Sequence, residues 1–195
     1  MSNGKNCVKN VMVVGVGGQG TLLASRILGN LYLSQGFDVK MSEVHGMAQR
    51  GGSVVTYVRY GEKVHSPLIG EGEADIIISF EELEAARWMS YLKPNGAMIV
   101  NTQQIDPMPV IIGAASYPED IVGKMAPAVS NLVTVDALAL AKQAGNVKSV
   151  NVVLLGVMAK SGDIGKDAWL AALEQTVPVK FLELNKTAFE LGYGA

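Results

Sequence analysis

Two short stretches concentrate the residues of this 195-residue chain that can do chemistry. The first runs Gly15-Val16-Gly17-Gly18-Gln19-Gly20-Thr21, and its Gly15, Gly17 and Gly20 stand at the spacing G-x-G-x-x-G. Glycines so placed tolerate positive φ, let an anion approach bare backbone and pack a helix close to a strand. A helix beginning at Thr21 would aim unpaired N–H groups at a phosphate. The same small residues also suit a tight strand-to-helix turn that holds no ligand. Gln19, inside that turn, either points to solvent or bonds a ligand from the helix N-terminus.

The second stretch is Ser42-Glu43-Val44-His45-Gly46-Met47-Ala48-Gln49-Arg50-Gly51-Gly52, expected to be a polar loop after the second strand. Arg50 carries its strongest signal, because a planar guanidinium donates in pairs to carboxylate or phosphate, and Gly51 and Gly52 beside it bring backbone close. His45 either donates to an acyl or phosphate oxygen or is an exposed loop histidine. Glu43 alone comes near the position, about 20 residues past the glycines, where a dinucleotide site holds its ribose, so a nicotinamide or flavin enzyme is disfavoured. Met41, Met47 and His65 are read as packing or bystander residues, and Glu81, Glu82 and Glu84 as a solvated helix face. No side chain is assigned a catalytic role or a metal on these grounds.

The elements that must position these residues follow from periodicity. An apolar run ending at Gly15 reads as a strand, and Leu23, Ile27 and Leu31 give the next helix one apolar face, ended by Gly36. Residues 37–41 read as the second strand and 53–60 as the third. Gly61-Glu62-Lys63 before residues 64–66 suggests a hairpin. Asp75-Ile76-Ile77-Ile78 reads as a buried parallel strand, with Ser79 and Glu82 as a capping box for a helix through Leu92. A turn at 93–96, a strand at 97–101, a short strand at 110–112, a helix at 118–125 and a strand at 132–135 follow. Asp136 caps a helix that stops at Gly145, residues 150–160 form a buried helix, and Phe181, Leu184, Ala188 and Leu191 stripe the last one. The expected fold is α/β: a Rossmann-like, mostly parallel sheet with flanking helices, a β-hairpin insertion and a helical C-terminal section, in one domain over residues 1–195.

Composition narrows the function. With 49% hydrophobic and 17% charged residues and a net charge of −2, the chain can bury a core but has no basic run to displace counterions from nucleic acid. Cys7 is the single cysteine, too few for a disulfide, a Cys-based zinc site or an iron–sulfur cluster. No apolar stretch reaches the ~18 residues of a membrane span, and residues 1–10 lack a signal peptide's apolar centre, so a cytoplasmic location is expected.

The glycine turn, followed about thirty residues later by His45-Gly-Met-Ala-Gln-Arg-Gly-Gly-Ser53, resembles the gamma-type catalytic domain of the 2-oxoacid:ferredoxin oxidoreductases. Asp75-Ile-Ile-Ile-Ser-Phe-Glu-Glu-Leu-Glu-Ala-Ala-Arg87 and Lys93-Pro-Asn-Gly96 extend the likeness over nearly the whole chain. Ser42 to Gly52 and the chain length are most similar to the small (beta) subunits of the indolepyruvate branch, with pyruvate, 2-oxoisovalerate and 2-oxoglutarate relatives as alternatives. The resemblance implies a complex in which thiamine diphosphate decarboxylates an aryl pyruvate, [4Fe-4S] clusters pass electrons to ferredoxin, and coenzyme A takes the acyl group. Gly162-Asp163-Ile164-Gly165 is not followed by the Asn-Asn pair of a thiamine diphosphate site, Asn185-Lys186 being the nearest candidate. Both cofactors are therefore expected in the large (alpha) partner subunit. The resemblance makes Gly15, Gly17, Gly18, Gln19, Gly20 and Thr21 ligand-facing toward a phosphate or coenzyme A. It turns Ser42, Glu43, His45, Gln49, Arg50, Gly51 and Gly52 toward the active site or the partner. A stand-alone nucleotide-binding module is the alternative of another class. The apolar surface of Val152 to Met158 and Phe181 to Leu191 further predicts docking, or a homodimer when the chain is isolated.

Overall fold

The computed structural model describes residues 8–46 and 51–195. Strands β1 (Lys9–Val16), β2 (Asp38–His45), β3 (Ser53–Gly61), β4 (Ala74–Ser79), β5 (Leu92–Asn101) and β6 (Asn131–Val135) form one sheet in the order β2-β3-β1-β4-β5-β6. β1, β4, β5 and β6 run parallel, whereas β3 is antiparallel to both β1 and β2. The expected mostly parallel, Rossmann-like sheet is therefore present, with one strand reversed inside it.

β1 is central because both of its faces are apolar: Val11 and Val13 enter one core, Met12 and Val14 the other, and all four are fully buried. Burying such a side chain is worth about 1.5–3 kcal/mol, so four in succession fix the strand's depth. Helices α1 (Thr21–Ser34), α5 (Ala137–Gln143), α6 (Val150–Lys160), α7 (Lys166–Thr176) and α8 (Val179–Gly194) build the first core. α2 (Glu82–Trp88) and α4 (Ile121–Met125) cover the opposite face, and α3 (Met108–Ile111) lies between them in sequence. α6 is apolar all round because it lies beneath α8, where the two helices touch backbone to backbone. A Cβ added at Gly156 would stand 2.3 Å from the Phe189 carbonyl, and one at Gly192 would stand 2.0 Å from the Val153 carbonyl.

Several expectations need correction. The hairpin joins β2 to β3; residues 64–66 form no strand, and Val64 is instead buried with its N–H donated to Asp38 Oδ2 at 2.9 Å. β2 runs on to His45, so Ser42–His45 belong to a strand and the connecting segment begins at Gly46. This edge strand is half-buried or exposed along its whole length, and its consecutive polar Ser42 and Glu43 break the period-2 pattern, which disguised its end as loop. Residues 110–112 contribute to α3, because Pro109 in the first turn favours helix over a ladder that needs its N–H. α2 stops at Trp88, a 3₁₀ turn spans Met89–Tyr91, and Lys93–Gly96 lie within β5 at an irregularity where Asn95 takes φ 67°. Ser79 is not the cap. Its hydroxyl donates to the Glu81 carbonyl at 2.7 Å, and Glu81 itself caps α2 by accepting from the Glu84 N–H at 2.9 Å.

Glu81, Glu82 and Glu84 are not a solvated face: they are 1%, 7% and 2% exposed. Burial of carboxylates requires donors. Tyr117 Oη and the Ile105 N–H supply Glu81, Gln104 Nε2 supplies Glu82, and Ser53 Oγ and Arg87 supply Glu84. The surface of Val152 to Met158, whose apolar residues in the sequence predict docking or self-association, is likewise consumed within the chain.

Candidate functional site at the carboxyl edge of the sheet

The glycine turn and the segment after β2 come together at the carboxyl edge of the parallel strands. Register places Gly15 opposite Val54 and Val54 opposite His45, so the two motifs end one row across three strands, roughly 10 Å apart at two strand spacings. A backbone hydrogen bond from Gly17 N to Gly52 O, 2.9 Å long, ties them directly. Below it the Ser53 hydroxyl donates to Glu84 Oε2 at 2.5 Å, and Arg87 meets the other carboxylate oxygen at 2.6 Å. The end of the segment is thereby anchored to α2 through a buried charge.

Each residue of the turn has its own task. Gly15 has no room for a side chain, since a Cβ there would stand 2.9 Å from both Gln19 Oε1 and Phe80 Cβ. Gly18 (φ 101°) and Gly20 (φ 87°) require the left-handed region, and Gly18 is exposed. Gln19 does not point to solvent but is held within the chain. Its Oε1 accepts from the Val16 N–H at 2.7 Å, and its Nε2 donates to the Phe80 carbonyl at 3.0 Å and lies 3.5 Å from Gln103 Oε1. It fills the crevice between β1 and β4, which is the switch point where open α/β sheets take their ligands. Asn101 continues this polar plug, donating to the Phe80 carbonyl and accepting from the Ala137 N–H. Thr21 is buried at the start of α1, whose first turn has neither a side-chain cap nor an acidic residue.

The open space lies to the side of the crevice. A cleft of about 380 Å³ is bounded by Gly18, Gln19, Gly20, Leu23, Lys148 and Asn151, together with Gln103 and apolar side chains of the α5–α6 region. Asn151 Nδ2 donates to the Gly20 carbonyl at 3.2 Å and so fixes the turn from the far side. An uncapped helix N-terminus beside an exposed lysine is a setting for an anion. Neither Lys148 nor Asn151 was found from the sequence, because a lone lysine and asparagine some 130 residues from the glycines carry no spacing signal.

In the second stretch Ser42 and Glu43 lie on β2, half-buried, with the Thr56 hydroxyl donating to Glu43 Oε2 at 3.1 Å. His45 is exposed at the strand end, its Nδ1 3.2 Å from the Gly46 carbonyl. Gly51 takes φ 77° and is exposed, and Gly52 supplies the carbonyl bound by Gly17. Gln49, Arg50 and Met47 lie outside the described residues, as does Cys7. Where a dinucleotide fold has β2 beside β1, this chain has the reversed β3, so Glu43 sits on a strand displaced by one position.

The family model for pyruvate ferredoxin/flavodoxin oxidoreductase matches residues 10–195. The chain belongs to that family. It is 40% identical over 198 residues to indolepyruvate oxidoreductase subunit IorB of Thermococcus kodakarensis, covering 95% of each chain. It is also 40% identical over 188 residues to the protein of the same name from Archaeoglobus fulgidus, covering 94% and 93%. The fold recurs in pyruvate oxidoreductase subunit PORC of Thermotoga maritima, with a TM-score of 0.73 at 21% identity over 98% of this chain and 97% of that one. The family resemblance and the fold expected from the sequence both hold, and no helix among the described residues is long and apolar enough to cross a membrane.

Proposed function

We propose that this chain is the small, gamma-type subunit of an indolepyruvate ferredoxin oxidoreductase, acting as one domain over residues 1–195 in the cytoplasm. The full-length identity of 40% to subunits so described carries the reading. In the complex the large subunit would hold thiamine diphosphate, which would supply the decarboxylation of the aryl 2-oxo acid, and [4Fe-4S] clusters, which would supply electron transfer to ferredoxin. Coenzyme A receives the acyl group. The single cysteine of this chain supports placing the clusters in the partner.

This chain contributes surface and positioning. The exposed Gly18, the uncapped first turn of α1 and Lys148 offer backbone donors and one ammonium to a phosphate of the acyl acceptor. The segment ending at Gly52, with Arg50, faces the partner's active site and holds a carboxylate or phosphate. A dinucleotide-binding role is the weaker reading, since Gln19 occupies the switch-point crevice and β3 separates β1 from β2.

The test is co-expression with the large subunit, followed by anaerobic assay of indolepyruvate-dependent, coenzyme A-dependent reduction of ferredoxin. The chain alone is expected to be colourless and inactive, and the brown complex active, with pyruvate and 2-oxoglutarate turned over more slowly. Activity of the isolated chain, or a large subunit equally active without it, overturns the proposal.

A further inference from the structure

The opposite, amino edge of the sheet carries a second and larger cleft, about 480 Å³, that the reading above does not use. Its floor is apolar: Val11, Ile76, Ala97 and Ile99 project from three neighbouring strands on the face that carries α1 and α6. Tyr60 forms a half-exposed aromatic wall, its ring stacked 3.6 Å and 11° from that of the buried Tyr32. Lys9 and Lys93 stand at the rim and share one carboxylate, Asp75, at 3.7 and 2.8 Å. Asp75 already accepts the Asn10 N–H at 2.8 Å through its other oxygen, so two ammonium groups face a single, fully engaged anion. Asp163, exposed on the α6–α7 connection, lies on the same cleft and is the other acid near Tyr60.

At the inner wall is Trp169, 2% exposed, whose buried indole N–H has no acceptor among the described residues. Trp88 shares that condition but does not line this cleft. Buried donors in folded proteins are nearly always paired, and this one, unpaired on a side chain that lines the cleft, is a donor that an acceptor bound there would satisfy. A pocket of this volume, apolar below with a few convergent polar groups above, has the build of a small-molecule site.

We propose that the amino-edge cleft binds a small aromatic monocarboxylate, with its ring on the apolar floor against Tyr60 and its carboxylate at Lys9 and Lys93. A neutral apolar ligand would leave the Trp169 N–H without an acceptor, and a cation would meet the two rim ammonium groups, whose shared carboxylate Asp75 is already engaged. An oxygen on the acid gives the Trp169 N–H its acceptor. The site lies one strand length, roughly 20 Å, from the glycine turn, so its ligand touches nothing at the carboxyl edge. The proposal does not depend on the oxidoreductase assignment, and it is tested without the partner or turnover.

The experiment uses the full chain carrying Trp88→Phe, which leaves Trp169 as the only indole. Phenylacetate is titrated while Trp169 fluorescence and heat are followed, with benzyl alcohol and acetate as ligands lacking one half of the chemistry. One-site saturable binding of phenylacetate is expected, at least tenfold tighter than either control. Lys93→Met should weaken it about tenfold, since hydrogen bonds to charged groups contribute on that scale. Ala97→Leu, which fills the floor, should abolish it, with thermal melts checking that each variant folds. Non-saturating titrations overturn the proposal, as does benzyl alcohol binding as tightly as phenylacetate. Binding unchanged in Lys93→Met also overturns it, whether or not Ala97→Leu folds.

Discussion

Tyr117 shows how much the candidate site leans on a side chain far from it in sequence. Its hydroxyl donates to Glu81, a carboxylate 1% exposed, and burial together with that bond holds its pKa well above the usual tyrosine range. Tyr117→Phe removes a donor from a buried acceptor and is expected to cost about 1–3 kcal/mol in urea unfolding. A tyrosine whose folded pKa is raised contributes its full stability below the unfolded value near 10 and loses it as pH rises beyond. The difference between wild type and variant should therefore be constant from neutral pH to about 9 and shrink above 10; a gap that widens there would contradict the assignment. Arg50→Lys keeps the charge but loses the planar fork, so in the assembled complex it should weaken the affected substrate step by about 1–3 kcal/mol with an unchanged melting temperature. Wild-type kinetics toward both the 2-oxo acid and coenzyme A would leave Arg50 without a role. The glycine turn was legible because its residues are local and each demands a special backbone. The burial of Glu81 and Glu84 was not, because their donors Tyr117 and Ser53 lie more than thirty positions away and only the fold brings them near.

Helices α6 and α8 pass so closely that two glycines are the contact. Alanine at position 192 would improve helix propensity by up to about 1 kcal/mol, yet its Cβ would meet the Val153 carbonyl and force the pair apart. Gly192→Ala should therefore be net destabilising by about 1–3 kcal/mol, seen as a melting temperature lower by roughly 2–4 °C per kcal/mol. A stabilised variant would mean that the helices part without loss. The sequence announced α6 as apolar all round but not what lay on it, since crossing distance depends on a pair of glycines 36 positions apart. Strand β2 was shortened by the same blindness, because an edge strand exposed along its length and carrying consecutive Ser42 and Glu43 has no buried face to mark it. By contrast β1, β4 and the core of β5 were plain, because strands buried on both faces are uninterrupted runs of aliphatic residues.

Across the whole molecule, reversal of β3 has the largest effect. It places the end of the β2–β3 hairpin beside the glycine turn, whereas a regular dinucleotide fold would put a parallel strand and its ribose-binding acid there. Each edge of the sheet then carries its own cleft, the upper framed by the two motifs and the lower by lysines and aromatic rings. The hydrogen bond from Gly17 to Gly52 makes the upper arrangement a thermodynamic circuit. Its donor belongs to the turn that borders the ligand cleft, and its acceptor to the segment proposed to meet the partner. If docking of the large subunit biases that segment, it biases the turn through the same bond, and linkage requires the reverse effect to be equal. Coenzyme A should then bind the assembled complex more tightly than the free chain, and saturating coenzyme A should tighten subunit association by the same factor. Two unequal factors would break the circuit, and two factors of one would show that the bond holds the motifs together without carrying free energy between them.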